Sequence, residues 1–242
     1  MKNLVVGYGE IGKAVHEVLG AYHEVGFYDL NGTEYAVRNP QVLHLCYPYD
    51  KNFIDFANQY IAFYRPKLVI VWSTTYPGTC NEIGEEVVHS PVEGKHPRLA
   101  DSIMLGVRWL GSKNIDSLIM AGKLFKDIGI KVHPVENSLY TEVLKIMGTT
   151  KYLWNIRWAE VEKSICKKAK MPHRMVNLWD SDYNELYDRL GMKGFKRYIL
   201  TPPTSDTIGG HCLIPNFRML KHYIRKKEFK LMEKYVQAKR KN

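Results

Sequence analysis

The chain has 242 residues, 45% of them hydrophobic and 25% charged, so it can bury a large core without disulfide or metal staples. Its four cysteines, Cys46, Cys80, Cys166 and Cys212, form no CxxC pair, no signal peptide precedes the first apolar run, and no run is long enough to span a bilayer; the expectation is a soluble protein of a reducing cytoplasm. The net charge of +10 is local, because ten Lys and Arg against two Glu fall within residues 218–242 and leave only about +2 on the rest, which argues against a nucleic-acid-binding body.

In chain order, the apolar run Leu4-Val5-Val6 enters Gly7-Tyr8-Gly9-Glu10-Ile11-Gly12 and leaves as a helical pattern through Leu19. Strand, glycine turn and helix in that order form a dinucleotide-binding elbow. The first glycine permits the turn, the second admits the pyrophosphate, the third lets helix and strand approach, and the helix N-terminus faces the phosphates. Gly7, Gly9, Glu10, Ile11 and Gly12 are therefore candidate cofactor contacts. A second strand, Glu24 to Asp29, ends in an acid seventeen residues beyond Gly12, where a carboxylate accepts from the ribose hydroxyls and repels a 2'-phosphate, favouring NAD over NADP.

After a turn at Asn31-Gly32 comes a third strand, Gln41 to Cys46, stopped by Tyr47-Pro48-Tyr49, then a helical pattern from Lys51 to Tyr64 and a fourth strand, Lys67 to Trp72, running into Ser73-Thr74-Thr75-Tyr76-Pro77-Gly78-Thr79. Continuous apolar strands alternating with helices predict an α/β fold, a doubly wound, Rossmann-type parallel sheet over residues 1–136. A short strand, Glu86 to His89, the loop Ser90 to Pro97, Arg108 to Gly111, a helix from about Ile115 to Ile128 and a strand from Lys131 to Val135 complete it. Residues 137–217 read as a mostly helical segment, with one long central helix from Ser138 to Lys170 and a second helix around Trp179 to Leu190. The central helix is too long and too broadly apolar for one small domain, which predicts a homodimer through it. Residues 218–242 read as a basic tail whose Leu220, Tyr223, Ile224, Leu231 and Tyr235 recur at helical spacing. A solvated amphipathic helix is preferred there to contact with nucleic acid or an anionic membrane.

Several motifs, in order, resemble the UDP-glucose/GDP-mannose dehydrogenase family of nucleotide-sugar 6-dehydrogenases: Gly7 to Gly12, Cys46-Tyr47-Pro48, Ser73-Thr74 with Pro77-Gly78-Thr79, Ser90-Pro91, Glu142-Val143-Leu144-Lys145, and Gly209-Gly210-His211-Cys212. The resemblance implies oxidation of a primary alcohol of a small-molecule substrate, a nucleotide sugar, to a carboxylate with two NAD in succession. It implies Cys212 as the nucleophile of a thiohemiacetal, Lys145 as the stabiliser of oxyanions, Thr74 as the residue that positions a water, and Tyr47, Ser73 and Thr74 beside the cofactor. No spacing supports a metal on His211 and Cys212 with His89 or His96.

Several departures accompany the likeness. Val92 stands where the family has Glu after Ser-Pro, with Glu93 one place on; Thr149 and Asn216 replace an Asn and an Asp; Pro215 follows Cys212 by three places rather than two. The expectation is also of a chain lacking the family's C-terminal nucleotide-sugar-binding domain. The alternative that these departures raise is a non-catalytic NAD-binding module that meets a partner through its basic tail.

Overall fold

Strands whose successive residues are nearly all apolar cannot alternate between core and solvent, so they must be covered on both faces. The computed structural model, which describes residues 1–31, 34–35, 37–94, 97–203, 212–227 and 229–238, places such strands at the centre of one sheet. These are β1 (Lys2–Val6), β4 (Val42–Leu45) and β5 (Leu68–Val71), buried along almost their whole length. Around them lie β2 (Glu24–Tyr28), β3 (Glu34–Tyr35), β6 (Val88–His89), β7 (Arg108–Gly111) and β8 (Val132–Val135), in the order β3-β2-β1-β4-β5-β6-β7-β8.

Alternate side chains feed two cores. Val5, Val42, Ile70 and Val88 pack under α1 (Glu10–Gly20), α4 (Leu99–Leu105) and α5 (Ile115–Lys126). Leu4, Val6, Leu43, Leu45, Val69 and Val71 pack under α2 (Phe53–Tyr64) and α3 (Thr79–Ile83). This is the doubly wound arrangement expected, with two departures from a wholly parallel sheet: β3 pairs antiparallel with β2, and β6 antiparallel with β7 through the single pair His89–Gly111. Strands and helices this short carry too few residues to register a period, which is why β3, α3 and α4 escape a sequence reading.

One polar chain runs inside the sheet. The Trp72 indole donates to Nδ1 of His44 at 3.0 Å, and Nε2 of His44 donates to the Asn3 carboxamide oxygen at 3.0 Å. Both ring nitrogens are used by a neutral imidazole, and burial lowers the His44 pKa to about 3.

The chain divides into two compact units, Met1–Lys145 and Ile146–Asn242. Helix α6 (Ser138–Ala169) gives its first two turns to the first unit and the remainder to the second. The second unit continues with α7 (Arg174–Arg189), a 3-10 turn (Lys193–Phe195), α8 (Leu213–Ile224) and α9 (Phe229–Ala238). Its core joins Leu153 of α6, Phe217 of α8, and Met232 and Val236 of α9. The single tail helix anticipated from the sequence is thus two, and α8 ends at Arg225 in the left-handed region (φ 53). The break resets the helical phase, so Phe217, Leu220, Met232 and Val236 turn inward, while Tyr223, Ile224 and Leu231 are 44%, 42% and 70% exposed.

Candidate active site

At the C-terminal end of β1 the chain takes three steps that only glycine allows or that need no side chain. Gly7 has φ +89, and a Cβ there would lie 2.6 Å from the Tyr47 nitrogen, because the segment leaving β4 crosses at this point. The site is the switch point of the winding, where the chain runs from β1 outward to β2 and returns on the other side as β4. Gly12 is tighter still, since its Cβ would fall 1.9 Å from the Gly7 carbonyl oxygen; helix α1 rests on the turn through this contact. Gly9 is different. It occupies the N-cap of α1 with no side-chain cap, and a Cβ built on it meets nothing within 4 Å. An open space at an uncapped helix N-terminus is what a diphosphate requires: unsatisfied N–H donors, partial positive charge and no steric barrier. Glu10 stands exposed in the first turn of α1, and Ile11 packs against the core.

Asp29, just past β2, faces this turn. Its carboxylate accepts from the Tyr8 N–H at 2.6 Å and from the Asn31 N–H at 3.0 Å, and those two bonds, that to Asn31 first, lower its pKa. A carboxylate offers about four lone-pair directions, so capacity remains for ribose hydroxyls after both bonds. The Tyr8 ring stacks on Phe27 at 3.7 Å. Gly32 of the expected Asn31-Gly32 turn lies outside the described residues.

Tyr47 follows β4, and its hydroxyl donates to the Phe53 carbonyl at 3.1 Å. Ser73, after β5, is 3% exposed and gives its hydroxyl to the Tyr47 carbonyl at 2.6 Å, so it ties two strand ends together. Thr74 is half-buried beside it.

The next residues are organised by a carboxylate to which the sequence pattern assigns no role of its own. Glu142, on the first turns of α6, is fully buried and accepts from the Thr75 hydroxyl at 3.1 Å, the Gly78 N–H at 2.6 Å and the Cys80 N–H at 2.8 Å. It fastens α6 to the loop carrying Ser73 and Thr74. Burial raises its pKa and the hydrogen bonds oppose that shift. One turn on, Lys145 donates to the Val92 carbonyl at 2.6 Å and stands 3.7 Å from the Glu93 carboxylate. Val92 itself lies in the core, so of the two residues after Ser90-Pro91 the apolar one turns inward and the acid stands beside the lysine.

Two further buried groups hold that loop. His89 takes a hydrogen bond from Thr141 on Nδ1 at 2.7 Å and donates from Nε2 to the Ser73 carbonyl at 3.1 Å; burial lowers its pKa to about 3. Arg108, 2% exposed, donates to the Pro91 carbonyl and lies 5.3 Å from the Trp72 ring, with burial lowering its pKa to about 10 and Glu93 opposing. The signal for Arg108 in the sequence is a lone cation among strand residues, Arg108-Trp109-Leu110-Gly111.

In the second unit Cys212 is exposed and occupies the N-cap of α8, whereas Cys46, Cys80 and Cys166 are buried. The Cys212 carbonyl accepts from the Asn216 N–H at 3.2 Å. Asn216 is 3% exposed and, among the described residues, its amide nitrogen has no hydrogen-bond partner. Thr149 is half-buried on α6. Gly209, Gly210 and His211, and His96 of the earlier loop, lie outside the described residues.

No protein-family model matches the sequence, and no curated protein matches it. Solved structures do match. A UDP-D-ManNAc dehydrogenase from Pyrococcus horikoshii aligns with TM-score 0.78 at 18% identity, over 99% of this chain and 68% of that one. A UDP-glucose dehydrogenase from Pyrobaculum islandicum gives 0.73 at 13%, and a ternary complex of GDP-mannose dehydrogenase from Pseudomonas aeruginosa gives 0.65 at 16%, each over 68% of its own length and over 99% and 100% of this chain respectively. The chain has the nucleotide-sugar dehydrogenase fold. The nucleotide-sugar dehydrogenase likeness extends across both units, because the alignments take in essentially the whole chain.

Proposed function

We propose that the protein is an NAD-dependent dehydrogenase of the nucleotide-sugar 6-dehydrogenase type, oxidising a primary alcohol by way of a thiohemiacetal on Cys212. The observation that carries the reading is the glycine elbow, where an open space at an uncapped helix N-terminus faces an ionised Asp29. Gly7, Gly9, Glu10, Ile11, Gly12, Asp29, Tyr47, Ser73 and Thr74 are the residues assigned to the cofactor. NAD, when bound there, supplies the acceptor for two electrons in each of two oxidations. Asp29 favours NAD over NADP because its fixed negative charge meets a 2'-phosphate.

In the second oxidation the Cys212 thiolate adds to the aldehyde carbon, the C–S bond forming as the carbonyl pair moves to oxygen. The Lys145 ammonium, held by the Val92 carbonyl and Glu93, stabilises that oxyanion. Oxidation of the thiohemiacetal leaves a thioester. Water positioned by Thr74 then adds to it, the Cys212 thiolate departs, and the carboxylate remains. A nucleotide sugar is the proposed substrate. A second copy is the proposed partner: α7 has no buried residue, and Trp158, Ile165 and Trp179 are 60%, 54% and 70% exposed, an apolar surface that a symmetric dimer covers.

The test is NADH absorbance with a panel of sugar nucleotides and simple hydroxy compounds, for wild type and Cys212→Ser. Two NADH per substrate are expected from the wild type and no more than the one of the first oxidation from Cys212→Ser; no reduction with any substrate removes the enzyme. A second reading, a non-catalytic NAD-binding module with a partner on its basic tail, is favoured by Asn216, whose side chain cannot accept a proton as a carboxylate would. Tight NAD binding by calorimetry, without turnover and without a Cys212 thiol faster than the other three, supports that module.

A further inference from the structure

The basic residues of the tail, dispersed in sequence, converge in the fold. On α8, Arg218, Lys221, His222 and Arg225 recur at spacings of three and four, which puts them on one helix face. With Lys226 and Lys230 they line one concavity of about 560 Å³. The opposite face of α8 is buried through Leu213, Phe217 and Leu220, and Phe217 belongs to the core shared with Leu153, Met232 and Val236. The cationic face is therefore fixed by packing rather than carried on a loose tail. Among the described residues, Glu233 is the carboxylate lining the concavity, 3.2 Å from Lys221. Five Lys and Arg set against that acid repel one another at these spacings, a cost that a polyanionic ligand offsets.

This surface is distinct from the site at Cys212. At about 1.5 Å per residue, Lys221 and Arg225 stand roughly 14 and 20 Å along α8 from Cys212, too far for one diphosphate to join them to a sugar carbon at the thiol. Its shape also selects among polyanions. A bilayer presents a plane of headgroups that touches only the rim of a depression, whereas a flexible strand can lay successive phosphates into it.

We propose that this concavity binds the phosphodiester backbone of a single-stranded nucleic acid, independently of the dehydrogenase reading. The test is fluorescence anisotropy of the full chain with a labelled oligo(dT), titrated at several salt concentrations. Binding is expected to weaken with salt at a log–log slope of about −2 to −4, from three to five phosphates neutralised at about 0.7 each. The double charge reversal Arg218→Glu with Arg225→Glu is expected to weaken binding about tenfold or more and to flatten that slope. The neutral pair Arg218→Gln with Arg225→Gln gives a smaller loss, and circular dichroism of both variants guards against misfolding. Lys126→Glu, on α5, leaves affinity nearly unchanged. Three results would overturn the proposal: no binding at low salt, equal weakening by Lys126→Glu, which would mean net charge rather than this surface, or displacement of the oligonucleotide by phosphatidylserine vesicles or by ATP.

Discussion

The three glycines of the elbow separate folding from binding at single residues. Gly12→Ala places a methyl group against the Gly7 carbonyl, and is expected to destabilise the fold by about 2–4 kcal/mol, read as a shift in the urea midpoint. A Cβ at Gly9 meets open space instead, so Gly9→Val should lower the midpoint by only about 1 kcal/mol, the cost of a poorer N-cap residue, while NAD binding by calorimetry is lost. If the second variant binds NAD normally, the elbow is not the cofactor site. Glu142 offers a purely structural contrast. Replacing it with Ala strands the buried N–H groups of Gly78 and Cys80 together with the Thr75 hydroxyl, and at about 1–3 kcal/mol per orphaned donor the expected loss is roughly 3 kcal/mol or more. His44 and His89 set the acid limb of stability. Both have folded pKa values of about 3, whereas an unfolded His titrates near 6.5. The unfolded chain therefore binds more protons between those values, and stability present above pH 6.5 is lost as pH falls toward 3. Each contributes up to about 1.4 kcal/mol per pH unit, so the pair should cost roughly 3–4 kcal/mol between pH 7 and pH 5. His44→Gln should remove about half of that dependence; a pH-independent urea midpoint would contradict it.

At the scale of elements, what matters is which helices carry their own stop and start signals. Helix α5 does: the Asn114 side chain accepts from the Ser117 N–H at 2.9 Å, and Asn114→Ala should cost about 1 kcal/mol. Helices α8 and α9 depend on packing instead. Phe217 is fully buried between them, and Phe217→Ala should cost about 3–5 kcal/mol in the second unit, measurable as an earlier loss of helical signal on heating. The long α6 joins both requirements in one element, since its first turns hold Thr141, Glu142 and Lys145 for the loops after β5 and β6, and its later turns contribute Leu153 to the second core.

At the scale of the molecule, the apolar surface on α6 and α7 bears on assembly. Sedimentation should show twice the chain mass at micromolar concentration, and Trp158→Glu with Ile165→Lys should return the monomer; a wild-type monomer would remove the proposed partner. Among the described residues no helix is long and apolar enough to cross a membrane.

The sequence alone was sufficient for the elements whose physics is local and repetitive. The glycine elbow, the short, mostly apolar strands and the 32-residue α6 declare themselves because backbone freedom, double-sided burial and helical period are written in consecutive residues. Other features exist only once distant segments meet. The antiparallel pairings of β3 and β7, the break at Arg225, the pairing of Glu93 with Lys145 and the three bonds to Glu142 depend on register and close approach across tens of residues. In Val92 and Glu93 the tertiary structure decided the outcome, because the core accepted the valine and left the acid to the lysine, a choice set by desolvation that no local pattern records.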